Sequence, residues 1–133
     1  MSRQSVLQVL TDRAAVEIAR VAAARPGLSS RCERAAGILA EHALSPRRRL
    51  IRAQVRGGEL VGYLVQGSGG AVYRVEAKGL WRCSCPDHHG RHRLLQGSSR
   101  ACKHALAVWA LWRAAVGAPA PAVEAQVRRE RAA

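Results

Sequence analysis

Three of the chain's four cysteines fall within twenty positions, as Cys83-Ser84-Cys85-Pro86 and, after fifteen intervening residues, Cys102-Lys103-His104. The pattern is CxC…CxH, two i,i+2 pairs of soft donors, which is the ligand content of a closed tetrahedral zinc site. In an extended segment the side chains at i and i+2 point the same way, so Cys83 and Cys85 can hold one metal from a strand end. Pro86 then stops the strand, because it lacks the N–H that a continuing ladder would use. Cys102 and His104 cannot share a helix face at a spacing of two. They fit if Cys102 lies just before a helix and His104 lies in its first turn. The run Ala105-Leu106-Ala107-Val108-Trp109-Ala110-Leu111-Trp112-Arg113-Ala114-Ala115 supplies that helix. The expectation is a structural zinc knuckle, strand then helix, with one Zn²⁺ per chain on Cys83, Cys85, Cys102 and His104.

The competing use of clustered cysteines is a disulfide. The opening MSRQSVLQVLTDR has no long apolar stretch of the kind a secretory leader needs, so a cytoplasmic location is expected. An odd number of clustered cysteines beside a histidine in such a compartment favours metal over bridge. Cys32, far from the cluster, reads as a small buried hydrophobe.

Trp81-Arg82-Cys83-Ser84-Cys85-Pro86 with Cys102-Lys103-His104-Ala105 resembles the SWIM-type zinc finger, whose signature is CxCP, a variable spacer, and CxH opening a helix. The resemblance covers about residues 47–116, including the strand-rich run before the first cysteine. Position by position it implies the same ligands: Cys83, Cys85, Cys102 and His104. In the family the module accompanies Swi/Snf-class ATPases, Mutator-type transposases, recombination accessory factors and many small bacterial proteins. The resemblance therefore also implies a protein-interaction adaptor within a DNA-processing or recombination complex. This chain departs from the family in two places. Asp87-His88-His89 stands where an aromatic often follows CxCP, and the spacer is basic, with Arg91, Arg93 and Arg100.

At 133 residues there is room for one domain, or one small domain with an appendage. Phe is absent and aromatics make up 4%, so the core must rest on Val, Leu, Ala and three tryptophans. Small domains with thin cores commonly need a metal or disulfide staple, and zinc would be that staple here. No stretch approaches the length of uncharged apolar sequence that crosses a bilayer, so no membrane partner is expected.

The net charge is +13, with twenty Arg against two Lys. Residues 44–116 alone hold thirteen Lys or Arg against Glu59, Glu76 and Asp87. A patch of this density attracts phosphate backbones through counterion release. Three thiolates on Zn²⁺ leave the site at −1, which neutralises only part of the excess. Arg47, Arg48, Arg49 and Arg52, with Arg91, Arg93, Arg100 and Lys103, fall on expected loops and strand ends where side chains reach a phosphate ridge. Only Tyr63, Tyr73 and Trp81 lie on expected strands as stacking aromatics, which favours duplex backbone contact, and DNA over RNA.

The chain divides into a helical segment (1–45), the zinc-finger module (46–116) and a basic tail (117–133) that reads as a linker and a frayed helix. In the first segment, apolar residues from Val6 to Ala22 repeat every three to four positions until Arg25-Pro26-Gly27. Ser29 or Ser30 can cap a second helix, with Glu33 completing a capping box after Ser30. The expectation is a helical hairpin packed on the sheet. Residues 49–84 read as an antiparallel meander turning at Gly57-Gly58, at Gly67-Ser68-Gly69-Gly70 and at Lys78-Gly79. The fold class is therefore α+β: a small antiparallel sheet leading into the knuckle and a C-terminal helix.

Asp87-His88-His89-Gly90-Arg91-His92 is dense in titratable groups, and His88 or His89 could substitute for a missing ligand. A hydrolytic metal centre needs an open coordination position and a base, and a Cys₃His site offers neither. No enzymatic activity is expected.

Overall fold

A computed structural model of the chain describes residues 3–76, 81–85 and 102–116. Helix α1 spans Arg3–Ala24 and ends where Pro26 opens a 3₁₀ turn, Pro26–Leu28. Helix α2, Ser29–Leu44, follows without a break in hydrogen bonding. The Ser30/Glu33 capping box does not form: the N-cap is Leu28, with no side-chain cap bond. The 3₁₀ turn has taken its place, because the Ser29 N–H already donates to Pro26 O. A second 3₁₀ turn, Pro46–Arg48, leads into the sheet, with Arg49 left-handed at φ 49°.

Three antiparallel strands follow in the order β1-β2-β3: β1 Ile51–Arg56, β2 Glu59–Gln66 and β3 Val72–Glu76. Gly57 and Gly58 join β1 to β2 with φ of 55° and 80°, the pair of positive values that a two-residue hairpin turn of matching twist requires. A bulge between Gln54 and Val55 shifts the register near that turn. Ile51 pairs with Val65 and Val65 with Tyr73, while Tyr63 pairs with Val75. Directly paired residues share a face, so these five side chains form the buried side of the sheet.

Helix α3, Lys103–Val116, is the centre of the molecule: every residue from His104 to Trp112 is buried. A helix apolar on all sides must be enclosed on all sides. Here α1 and α2 cover it, and β3 meets it from the sheet side. The helical hairpin therefore packs chiefly on α3 rather than on the sheet. Trp109 and Trp112 both lie in the core. Arg113 stacks over the Trp109 ring at 5.1 Å and reaches Glu17 of α1 at 3.5 Å, tying α3 to α1. One hydrophobic cluster runs from Ala14 and Ile18 of α1, through Leu28, Cys32 and Leu39, to the sheet and α3. The arrangement is α+β. Among the described residues, no helix is long and apolar enough to cross a membrane.

Candidate metal centre and its basic surroundings

The segment bearing Cys83 and Cys85 joins the free edge of β3 for a single ladder pair, Val75 with Cys83. Glu76 N–H donates to Arg82 O at 2.8 Å, and Ser84 N–H donates to Arg74 O at 3.0 Å. Ser84 also accepts from the Arg74 N–H through its hydroxyl, at 3.0 Å. Opposed residues share a face, so Cys83 follows Val75 to the buried side, and alternation brings Cys85 after it while Ser84 stays exposed.

Cys102 stands just before α3 and His104 is its second residue, so the helix start brings both inward. The Cys102 sulfur accepts the Ala105 N–H at 3.3 Å, satisfying one of the unpaired donors of the first turn. Tyr73 of β3 lies against the His104 ring, with centroids 4.8 Å apart.

All four side chains are buried, and their donor atoms lie within 4.8 Å of one another. Cys83 Sγ is 3.8 Å from His104 Nδ1. A tetrahedral ion at about 2.3 Å from sulfur and about 2.0 Å from nitrogen requires donor–donor edges of roughly 3.5–3.8 Å. The cluster therefore fits one metal ion with small inward movement of the side chains. Its chemistry fits as well. The Cys83 thiol is pushed far above its ordinary pKa, first by its hydrogen bond with Cys102, then by burial and by the neighbouring Cys102 and Cys85 charges. Sulfurs gathered in a buried site resist ionisation without a cation, and a divalent ion reverses that balance. Cys32 lies apart from this group, buried in the helical core.

The basic residues divide. Arg47, Arg48 and Arg49 are exposed around the turn between α2 and β1, and Arg52 is exposed on β1. Lys103 is half-buried at the start of α3. Arg48 and Lys103 converge on one cleft, which Arg47, Arg49 and Arg52 do not line. Arg91, Arg93, Arg100 and the Asp87–His92 cluster lie outside the described residues. Sequence reasoning missed Arg34 of α2, which lines the same cleft. Arg34, Gly37, Ile38 and Glu41 recur at i, i+3, i+4 and i+7, so the shared helix face was there to be found.

No protein-family model, curated protein or solved structure matches the chain.

Proposed function

We propose that the chain is a zinc-held accessory module of the SWIM type that grips nucleic-acid backbone with little sequence preference, DNA favoured over RNA. Three thiolates and an imidazole suit zinc, and four protein ligands close its coordination. The metal then holds the fold and does no chemistry, and the module is not an enzyme.

The observation that carries the binding half of the reading is the set of unpaired bases. Arg47, Arg48, Arg49 and Arg52 are exposed, and among the described residues none is in an ion pair. They stand in a segment, 44–116, whose bases outnumber acids by ten. A merely soluble surface mixes both signs, whereas a phosphate ridge is complemented by one.

The test is duplex binding by the zinc-loaded protein at about 50 mM and about 200 mM salt, where some four phosphate contacts predict a loss on the order of a hundredfold. Binding that is undetectable at the lower salt, or indifferent to salt, overturns the reading.

One observation favours the protein-adaptor alternative. Val6, Val9 and Val16 are exposed, and at 3.6 residues per turn they share one side of α1. Apolar docking there survives salt, which separates the two readings. The buried Trp109 and Trp112 are not available to such a face.

A further inference from the structure

A cleft of about 470 Å³ opens where α2, the turn between β2 and β3, and the first turn of α3 meet. It is of the size that takes a small ligand, with room for one nucleotide unit. Three cationic side chains from separate parts of the chain line it: Arg34 of α2, Arg48 of the turn before β1, and Lys103 of α3. Among the described residues none of the three is in an ion pair. Convergent, unpaired cations repel one another, and an anion between them removes that cost.

Two walls are bare backbone. Gly69 and Gly70 hold φ of 76° and 84°, which side chains resist, so the turn presents main chain to the cleft. Gly37 sits inside α2, where glycine weakens a helix relative to alanine. Packing among the described residues does not call for it, since a Cβ there would meet none of their atoms within 4 Å. What its missing side chain provides is space in the cleft.

Among the described residues the opposing charges are two: Glu41 lines the cleft, and the Cys/His cluster, at −1 once it holds Zn²⁺, lies directly behind His104 in the wall. The three cations still leave the cleft positive, and the start of α3 adds the positive end of its dipole. Arg supplies a planar fork of donors suited to phosphate oxygens, and Lys a point charge.

We propose that this cleft seats one backbone phosphate of the bound strand, contacted by Arg34, Arg48 and Lys103 and admitted by the absent side chain at Gly37. The proposal rests on the nucleic-acid reading above and makes this cleft its anchoring point against the metal centre. It also adds Arg34, on the helical hairpin, to an interface otherwise built from the zinc module.

The experiment uses full-length, zinc-loaded wild type, Gly37→Leu, Arg34→Gln and, outside the cleft, Arg56→Gln. Circular dichroism and zinc content establish that each variant is folded. Short duplex DNA at about 50 mM salt is the first probe, and Gly37→Leu and Arg34→Gln are each expected to lose about tenfold or more, with Arg56→Gln losing less. Arg34→Gln should also lower the salt slope by about one. Folded Gly37→Leu and Arg34→Gln that bind like wild type overturn the proposal and leave the backbone-binding reading standing.

Isotope-labelled wild type removes any dependence on variant folding. Duplex should shift the amides of Gly37, Gly69, Gly70 and Lys103, and silence there while the duplex binds overturns the proposal. A nucleoside monophosphate is the second probe. Shifts with the mononucleotide and no duplex binding at low salt would overturn both readings in favour of a free-nucleotide site.

Discussion

The indole of Trp81 lies against that of Trp112, with ring centroids 5.3 Å apart and planes tilted by 58°. The contact joins the arm that carries Cys83 and Cys85 to the helix that carries His104, so the two halves of the candidate metal centre share one aromatic clamp. Trp81 is 1% exposed and holds φ 48°, a left-handed conformation that a bulky side chain adopts only when its surroundings over-determine it. Trp81→Ala is expected to cost about 3–5 kcal/mol, the usual range for emptying an aromatic site. Trp81→Gly loses the same ring but relieves the backbone, so it should be the more stable of the two by about 1 kcal/mol. Urea midpoints decide the order, and an alanine variant as stable as the glycine one would mean that the left-handed backbone stores no strain.

A second relay runs from Gly67 through Tyr73 to His104. A Cβ at Gly67 would come within 2.5 Å of Tyr73 Cε2, and the same ring packs on the His104 imidazole. Gly67→Ala must therefore displace the Tyr73 ring that lies against His104. We expect a loss of about tenfold in metal affinity, comparable to disturbing an outer-shell partner of a metal-bound histidine. Competition with a chromophoric chelator measures it. Gly27→Ala, which meets no atom within 4 Å among the described residues and needs no left-handed backbone, should leave the affinity unchanged.

Removing the metal should unfold the chain cooperatively. The four ligands come from an edge segment held by one ladder pair and from the start of the central helix. Without the ion, buried sulfurs crowd one another, and α3 is the element on which α1 and α2 pack. Far-ultraviolet circular dichroism during chelation should report loss of helix and sheet together. A spectrum unchanged after complete metal removal would show that the hydrophobic core suffices.

His42 gives the stability a pH dependence. It is buried in the last turn of α2, where burial lowers its pKa below 6.5, and its Nδ1 has no hydrogen-bond partner among the described residues. The unfolded chain therefore takes up the proton first as pH falls. Stability from this group is complete above the unfolded pKa and declines as pH drops through the lower folded value. Between about pH 7.5 and about pH 5, wild type should lose more stability than His42→Leu, because only wild type has a group at this position that gains a proton on unfolding. Equal losses in urea titrations would show that His42 titrates freely.

The Cys/His cluster and the outline of the fold were legible because each depends on short-range chemistry. The CxC pair needs only strand alternation and the CxH pair only a helix start, and both were readable at Cys83–Pro86 and Cys102–Ala115. Gly57-Gly58 announced its turn because few other residues accept two positive φ values in succession. What escaped depends on partners distant in sequence. Ser30 and Glu33 have the spacing of a capping box, yet the preceding 3₁₀ turn leads straight into α2, with the Ser29 N–H donating to Pro26 O. The apolar face of the hairpin was evident, but its choice of α3 over the sheet follows from how completely α3 is enclosed. Arg34 belongs to the cleft only because the turn between β2 and β3 folds back beside α2.

The most direct test of the account is the metal content and ligand shell of the purified protein, by elemental analysis with zinc-edge X-ray absorption. The account predicts one zinc per chain, with three sulfurs at about 2.3 Å and one nitrogen at about 2.0 Å. Cys32→Ser should keep the metal and Cys85→Ser should lose most of it. A chain purified without zinc, with two ions, or with a Cys85→Ser variant that retains full occupancy would contradict it.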